Sequence, residues 1–427
     1  MNCWRKHWGR VMSEPTKTLV PKLRFPEFLD VGEWKQSKLG ERAVSIFVKE
    51  RTPLQNLSLD NYVSTENLLP DFAGVINAAK LPPNGSFTRF KEGDVLISNI
   101  RPYLKKVWSA NKNGASSNDV IVIRAQSSIS DSFLTFLLKN DNFIDYIMKG
   151  AKGVKMPRGD ISLMKEYPVA IPSPKEQQKI ADCLSSIDEL IAAQTYKIAA
   201  LKDHKKGLMQ QLFPLEGETV PKLRFPEFND AGEWEVDTLV NVANYRRGSF
   251  PQPYGLPEWY DEINGMPFVQ VFDVGDDLLL KPKTKNKISK LATKQSVFIP
   301  KETVIITIQG SIGRVAITQY DAYVDRTLLL FEGFIKPLNK LFFAYVLQIL
   351  FEIEKQKAPG GIIKTITKEV LSDFVIKFPE INEQQKVADC LSSIDELLAA
   401  QTQKLEAYKA HKKGLIQQLF PDQSEAC

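Results

Sequence analysis

QQKIADCLSSIDELIAAQTYKIAALKDHKKGLMQQLFP occupies residues 177–214, and QQKVADCLSSIDELLAAQTQKLEAYKAHKKGLIQQLFP occupies residues 384–421. The second stretch follows the first at a distance of 207 residues, and 30 of the 38 positions are identical. In both copies apolar residues recur at alternating spacings of four and three, which is typical of an α-helix that buries one face along its whole length. The sequence therefore predicts two nearly identical long helices.

The start and the end of the first long helix have their own signals. Ser173 and Glu176 have the spacing of a capping box, and Pro174 stands at the first helical position. Pro214 marks the end. The residues from 180 to 212 alone would make a rod of roughly 50 Å at about 1.5 Å per residue.

A helix of this length needs a partner for its apolar face, and the nearest candidate is the other copy. In an antiparallel pair, Gln194 and Gln401 would meet near the middle and fix the register. The alternative is that both glutamines are solvated and fix nothing. The residues predicted to pair the helices and to dock partners are Leu184, Ile187, Ile191, Gln194, Ile198, Leu391, Ile394, Leu398, Gln401 and Leu405.

A second repeat precedes each globular block of the chain. VPKLRFPEFLDVGEW at 20–34 returns as VPKLRFPEFNDAGEW at 220–234, with 13 of 15 positions identical. Its proline, aromatic and basic residues follow neither helical nor strand periodicity, so we expect an ordered segment that packs its aromatic side chains onto the same surface each time. We call these two stretches the entry segments.

The two blocks between the repeats share a plan but few residues. Each has two strand-like runs separated by a polar loop, then an apolar helix and a basic loop that contains glycine, which predicts a mixed α and β domain. The strand-like runs are GDVLIS (93–98) and DVIVIRA (119–125) in the first block, and ETVIITI (302–308) and TLLLFEG (327–333) in the second. Nearly identical helices thus carry two dissimilar blocks.

Composition excludes several classes of protein. The 427 residues are 43% hydrophobic with a net charge of +5, and no apolar run is long enough to span a membrane. The first eleven residues lack the apolar core of a secretory signal. Cys183 and Cys390 occupy one repeated helix position and are expected to be small buried residues, so a cytoplasmic location is predicted.

Catalytic motifs are missing from the sequence. It contains no phosphate-binding G-x-x-x-x-G-K-[ST] loop, no G-x-S-x-G elbow and no H-E-x-x-H zinc motif. Of the three histidines, His204 and His411 share one repeated helix position, so histidine cannot assemble a metal cluster. We therefore predict a chain with no catalytic residue, no metal and no cofactor of its own.

Basic residues are dense in a few places. Residues 89–112 hold six Lys or Arg against two acids, residues 149–165 hold five against one, and six lysines between 281 and 294 have no acid among them. Such patches suit a polyanion. The nucleic-acid contacts are predicted on loops just beyond strands, at Arg101, Tyr103, Lys105, Lys106, Lys155, Arg158, Arg246, Arg247, Gln309, Ser311, Arg314, Lys364 and Thr365. Each of these taken singly is equally consistent with a solvated charge or a turn residue.

With two entry segments, two dissimilar blocks and the motifs EQQKIADCLSSIDELIAAQ and EQQKVADCLSSIDELLAAQ, the sequence resembles the specificity subunit of type I restriction–modification enzymes over residues 15–421. The resemblance implies an α+β fold in which two mixed α/β target recognition domains are separated by two long antiparallel coiled-coil helices, as a pseudo-two-fold repeat. The implied segments are a tail (1–14), recognition domain 1 (15–172), spacer helix 1 (173–214), recognition domain 2 (215–379), spacer helix 2 (380–421) and a tail (422–427).

The resemblance also implies what the chain assembles with. Each recognition domain would read one half of a split, asymmetric site in double-stranded DNA. The long helices would dock two adenine methyltransferase subunits, which bind S-adenosylmethionine, and through them the ATP- and Mg²⁺-dependent restriction subunits. Two other classes stay open, namely a repeat scaffold that joins protein partners without DNA and a diverged stand-alone methyltransferase or nuclease.

Overall fold

The computed structural model describes residues 19–357 and 368–421, which pack as two compact units. Of these, residues 19–195 and 404–421 form the first unit, and residues 196–357 and 368–403 form the second. Both predicted tails lie outside the described residues, as do Lys364 and Thr365. The segment boundaries predicted from the sequence stay a prediction. The two units are defined differently, by which residues contact one another.

In the first unit, a central four-stranded sheet lies between helices on one face and a second sheet on the other. Val95 and Ile97 face the helical layer, while Leu96 between them faces the second sheet. This alternation follows from the two-residue period of a strand. The elements are β1 Lys35–Lys38, β2 Ser45–Phe47, β3 Arg51–Pro53, β4 Tyr62–Val63, β5 Ser86–Phe90, β6 Val95–Ser98, β7 Val107–Ser109, β8 Gly114–Ser116, β9 Val120–Ala125, α1 Asp131–Leu138, α2 Asp141–Lys149, α3 Ile161–Lys165, β10 Pro168–Ile171 and α4 Pro174–Leu212.

The second unit repeats these layers. Val304 and Ile306 face its helical layer, and Ile305 faces its second sheet. The elements are β11 Glu235–Thr238, α5 Leu239–Val242, β12 Ala243–Arg247, β13 Met266–Val269, β14 Asn286–Ile288, α6 Lys290–Thr293, β15 Val297–Ile299, β16 Val304–Thr307, β17 Val315–Ile317, β18 Ala322–Val324, β19 Leu328–Phe334, α7 Lys340–Lys357, α8 Lys368–Ser372, β20 Val375–Phe378 and α9 Ile381–Leu419. The predicted strands and apolar helices are confirmed.

The central sheets have the same topology, but the second sheets differ at their edges. The central orders are β2-β9-β6-β7 and β12-β19-β16-β17. In the second sheets, β4-β8-β5 corresponds to β13-β18-β15, with one parallel and one antiparallel pair in each. The first unit adds β3 beside β5, whereas the second adds β14 beside β13, which is the opposite edge.

The two long helices, α4 and α9, are each 39 residues long, about 58 Å at 1.5 Å per residue. In the first unit Leu184 packs in one core with Ile416 and Leu419, and in the second Leu212 packs with Leu391. Early residues of one helix thus meet late residues of the other in both units, and the predicted antiparallel pairing is confirmed.

Each long helix also carries a lysine that pairs with an aspartate of the other long helix. In the second unit Lys205 Nζ lies 2.6 Å from Asp395, and in the first Lys412 Nζ lies 2.5 Å from Asp188. The ten predicted pairing residues are buried or half-buried, and Gln194 is 7% exposed. The proposed meeting of Gln194 with Gln401 stays a prediction.

The entry segments attach to the starts of the long helices through hydrogen bonds from an arginine and a tryptophan. Arg24 donates from Nε and Nη2 to the two carboxylate oxygens of Glu176 at 2.7 and 2.8 Å, and the Trp34 indole donates to the same carboxylate. Arg224 and Glu383 repeat the pair in the second unit. The predicted capping box is therefore wrong in its second half, because Glu176 bonds these side chains and only the Ser173 hydroxyl caps the helix, at 3.4 Å.

Candidate nucleic-acid interface

The predicted loops of each unit gather at one edge of its central sheet. In an antiparallel sheet the carboxyl end of one strand lies beside the amino end of its neighbour. The loop after β6 and the turn before β9 therefore share an edge in the first unit, as do the loop after β16 and the turn before β19 in the second. We call these the loop edges, formed by residues 99–106, 117–119 and 150–160 and by residues 246–247, 308–314 and 325–327.

At the first loop edge, backbone hydrogen bonds hold three chain segments together. Asn99 N donates to Asp119 O at 2.8 Å, and Arg101 N donates to Pro157 O at 2.8 Å. Gly159 N donates to Asn99 O at 3.1 Å, and a Cβ at Gly159 would lie 2.9 Å from the Asn99 side-chain oxygen. The two basic loops that the sequence singled out in the first block are thus brought together.

Arg101 combines backbone strain with an unused guanidinium. Its φ of 54° lies in the left-handed region, which costs a non-glycine residue roughly 1 to 2 kcal/mol. Its Nε and the Oδ1 of Asn99 are buried without a hydrogen-bond partner in the described part of the chain. Strain and orphaned polar atoms together are typical of a binding site.

The other predicted residues of the first loop edge divide into two groups. Lys105 binds Asp141 at 2.7 Å and Lys106 donates to the Thr65 carbonyl at 2.7 Å, so both ammonium groups are engaged within the fold. Burial by itself would raise the pKa of Asp141, but Lys105 and Lys413 together lower it. The residues that face solvent are Tyr103, Lys155 and Arg158, of which Arg158 also lies 2.9 Å from Asp119.

At the second loop edge, Ser311 is exposed and Gln309 is half-buried. Arg314 turns inward, because its Nε lies 3.0 Å from Asp276 and its Nη1 donates to the Val274 carbonyl at 3.3 Å. Arg246 lies 3.7 Å from Glu332, and Arg247 donates to the carbonyl of Arg326 at 3.2 Å. The residues expected on the basic loop at 358–367 fall outside the described residues.

Each loop contains two residues with positive φ, four positions apart in the first unit and three positions apart in the second. Ser98 donates its N–H to Lys106 O in the first unit, and Thr307 donates its N–H to Arg314 O in the second, which aligns the loops. Positive φ then falls on Arg101 and Lys105 in one loop and on Gly310 and Gly313 in the other. The second unit uses glycine, which adopts this conformation freely, where the first carries two basic side chains.

The lysine run of the second block begins before the added edge strand, β14, and ends after it. Lys281, Lys283, Lys285, Lys290 and Lys294 are exposed and Lys287 is half-buried. Within the described residues none of the six ammonium groups is in an ion pair, and Lys285 stacks on the Phe272 ring at 5.0 Å. The run is an exposed basic ridge, as its composition predicted.

Sequence reasoning missed three residues at the loop edges. Arg51, on β3, donates to Asn118 Oδ1 at 2.7 Å in the first unit. Arg326 stands in the corresponding turn of the second unit, with its guanidinium over the Tyr254 ring. Asn118 and Arg326 stand just before strands that the sequence did identify, so inspecting the residue before each strand would have found them.

Among residues 19–357 and 368–421, no group of His, Cys, Asp and Glu side chains could hold a metal ion, and no helix is long and apolar enough to cross a membrane. Cys183 and Cys390 are half-buried, and burial raises the pKa of both thiols, which leaves them protonated at neutral pH.

The sequence matches the family described as "Type I restriction modification DNA specificity domain" twice, over residues 32–203 and 232–407. It is 24% identical over 416 residues to the specificity subunit of the type I restriction enzyme MjaVIII from Methanocaldococcus jannaschii, and the match covers 93% of each chain. It is also 24% identical over 254 residues to the EcoR124I/EcoR124II specificity subunit of Escherichia coli, covering 56% of this chain and 58% of that one.

The fold agrees with solved structures. The crystal structure of the type I restriction–modification system S subunit from M. genitalium superposes with a TM-score of 0.57 at 15% identity, covering 95% of this chain and all of that one. Because the two family matches span most of the chain, they decide its membership. The chain belongs to the type I restriction–modification DNA specificity family, and it is a DNA-recognition subunit rather than an enzyme.

Proposed function

We propose that the chain reads a bipartite, asymmetric site in double-stranded DNA, with one half-site for each loop edge and an unread gap of fixed length between them. For both loop edges to enter major grooves on one face of the duplex, the half-site centres need to be about 34 Å, or one turn, apart. The long helices set this distance, since a stiff helical pair prevents the two readers from sliding independently.

The observation that carries the proposal is that the chain repeats its frame, which is the entry segments and the long helices, while its two loop edges differ. The entry segments and long helices are nearly identical in the two halves, down to the pairs Arg24–Glu176 and Arg224–Glu383. The loop edges lie at the same end of central sheets with the same topology but present different side chains, such as Arg101 in one unit and Gly310 in the other. Two readers of different sequences on one repeated frame fit an asymmetric site.

The partners follow from the same repeat. Two nearly identical helices offer two nearly identical surfaces, so we propose that they dock two adenine methyltransferase subunits, and through these the restriction subunits. S-adenosylmethionine, ATP and Mg²⁺ would then be bound by those partners rather than by this chain. The ten pairing residues, from Leu184 to Leu405, would fix the surfaces that the partners meet.

Lengthening the helical pair tests whether the long helices set the length of the unread gap. We expect that about seven residues, inserted in register into α4 with a matching insertion in α9, add about 10 Å and widen the gap by up to about three base pairs. Both half-sites should stay unchanged, because the loop edges are untouched. The measurement is sequencing of methylated adenines in DNA modified by the assembled methyltransferase complex.

An equal insertion between Asn84 and Gly85, in an exposed loop of the first unit, serves as the control and should leave the gap as it was. An unaltered gap together with an altered half-site in the helix variant would show that the helices do not set the spacing. Absence of any sequence-dependent methylation by the unmodified complex would reject DNA recognition itself.

Arg101→Gly tests the first loop edge. Glycine removes the left-handed strain of about 1 to 2 kcal/mol, partly offset by its greater freedom in the unfolded chain, so the unit should keep its stability. Loss of a two-pronged contact to a base should cost about 1 to 3 kcal/mol of discrimination at one position of one half-site. Urea unfolding and methylation mapping measure the two effects.

Gly310 in the second unit provides the comparison, because the loop there already has glycine at a position with positive φ. Weakening that is uniform over all DNA sequences would assign Arg101 to phosphate. A fall in stability with recognition intact would make Arg101 a structural residue only.

A further inference from the structure

The turn before β19 in the second unit holds an arginine in an unusual setting. Arg326 is exposed, and its guanidinium carbon lies 5.7 Å from the centre of the Tyr254 ring. Stacking on an aromatic face restricts a guanidinium without using its N–H groups. Within the described residues the Arg326 side chain makes no hydrogen bond or ion pair, so all of its donors are available to a ligand.

The ring beneath Arg326 is fixed by buried polar groups. The Tyr254 hydroxyl donates to Asp325 Oδ2 at 3.1 Å and accepts a hydrogen bond from Gln270 Nε2. Gln270 is in turn held by Asn286, whose Nδ2 donates to its Oε1 at 2.7 Å. Asp325 is 2% exposed and Gln270 is 8% exposed, so the two groups that hold the Tyr254 hydroxyl are buried, while the Tyr254 side chain itself is 42% exposed.

The turn that carries Arg326 is equally constrained. Thr327 donates from its backbone N and from its hydroxyl to Asp325 Oδ1, at 2.9 and 2.6 Å. Arg247 donates to the Arg326 carbonyl at 3.2 Å, and a Cβ at Gly248 would lie 2.4 Å from the carbonyl oxygens of residues 324 and 325. The backbone therefore has little freedom, and the side chain is presented in one direction.

The planar guanidinium of Arg326 has free N–H donors and stands on a constrained turn. This arrangement suits two hydrogen-bond acceptors that lie side by side. In the major groove, guanine offers O6 and N7 in that arrangement, and arginine is the side chain that most often binds them. A contact to phosphate does not require a guanidinium held in one position. The lysines between 281 and 294 already supply positive charges for phosphate.

We propose that Arg326 reads one guanine of the half-site bound by the second unit, and that Tyr254 positions it. The inference rests on the proposed function and names a residue and a base within it. Arg326 contacts the base, and Tyr254, through its ring and its hydroxyl, acts on Arg326.

At the corresponding turn of the first unit, an arginine is engaged within the fold instead. Asn118 occupies the corresponding turn, and its Oδ1 accepts from the guanidinium of Arg51 at 2.7 Å. Arg51 comes from β3, the strand that only the first unit adds to its second sheet. An arginine thus lies at this turn in both units, but the Arg51 guanidinium also bonds Ser86 and Thr88, whereas the Arg326 donors are not used within the described residues.

The test uses the assembled methyltransferase complex and duplexes in which 7-deazaguanine, which lacks the N7 acceptor, replaces each guanine of the second half-site in turn. We expect the unmodified complex to lose roughly 5- to 150-fold in affinity at one guanine. Arg326→Ala should bind the natural site more weakly and be insensitive to the replacement at that guanine, and Arg326→Lys should recover little of the lost affinity. Lysine keeps the charge but not the fork, so its failure separates base reading from simple attraction.

Two further variants complete the test. Lys301→Ala removes an exposed charge at the opposite end of β16 and should keep full sensitivity to 7-deazaguanine. Tyr254→Phe retains the ring and should keep part of the discrimination, whereas Tyr254→Leu should lose most of it without altering the salt dependence of binding.

Three results would overturn the inference. The first is sensitivity to 7-deazaguanine that persists in Arg326→Ala, and the second is a second half-site that contains no guanine. The third is rescue by Arg326→Lys with a lower salt dependence in Arg326→Ala, which would assign the residue to phosphate. Failure of the unmodified complex to prefer any sequence would instead reject the proposed function, so the two failures are distinguishable.

Discussion

Arg24→Ala is expected to lower the free energy of unfolding of the first unit by about 3 to 5 kcal/mol, because it leaves the buried carboxylate of Glu176 without its charge partner. The Arg24 side chain is 5% exposed and that of Glu176 is 1% exposed, and two parallel N–H donors join them. Only the Trp34 indole, at 3.2 Å, would remain to bond the carboxylate. Urea unfolding, with amide exchange to assign the transition to the first unit, measures the loss.

The chain provides its own controls for this variant. Arg224→Ala should destabilise the second unit by a similar amount, since the Arg224 and Glu383 side chains are 7% and 2% exposed. Lys179→Ala breaks an ion pair with Glu27 in which both side chains are about half exposed, and it should cost under about 1 kcal/mol. If Arg24→Ala were no more costly than Lys179→Ala, the buried pair would not anchor the entry segment.

The same contacts explain why the motif at the helix start is repeated so closely. After Glu176, the Gln177 side chain donates to the carbonyls of Ser128 and Pro172, each at 3.0 Å, and accepts from Ser130 N at 2.9 Å. Gln384 repeats these bonds in the second unit. A buried amide that satisfies three backbone groups leaves little room for substitution.

Sequence patterns predicted the long helices and the inner strands well, because the periodicity of apolar residues indicates which faces of an element are buried. The four-three spacing of apolar residues is maintained along both long helices, and the inner strands β6 and β16 are continuous apolar runs because both of their faces are covered. The capping role of Glu176 was predicted wrongly, since local spacing cannot reveal that Arg24, 152 residues earlier, competes for the carboxylate.

The loop edges were harder to predict, because residue type does not reveal which charges the fold itself uses. Lys105, Lys106 and Arg314 looked as suitable for DNA as Arg101, yet each is engaged with a carboxylate or a carbonyl of its own unit. Arg326 was missed because its setting depends on Tyr254, 72 positions away, and on the strand order of the sheet. Only the folded contacts separate free donors from occupied ones.

Phe420→Ala is expected to destabilise the first unit by about 3 to 5 kcal/mol, because it empties part of a buried aromatic contact. Phe420 is 3% exposed, and its ring lies 5.2 Å from that of Phe133, a fully buried residue of α1. Deleting the ring leaves a cavity between the end of α9 and the helical layer.

Phe213 at the end of α4 gives the matched variant, since its ring lies 5.4 Å from Phe342 in the second unit and its loss should cost a similar amount there. Tyr196→Ala removes an aromatic side chain that is 77% exposed on α4 and should change stability by under about 0.5 kcal/mol. Unfolding of each variant by urea measures the difference. A cost for Phe420→Ala as small as that for Tyr196→Ala would mean that the end of α9 does not dock into the first unit, and the antiparallel frame would then lack one of its two anchors.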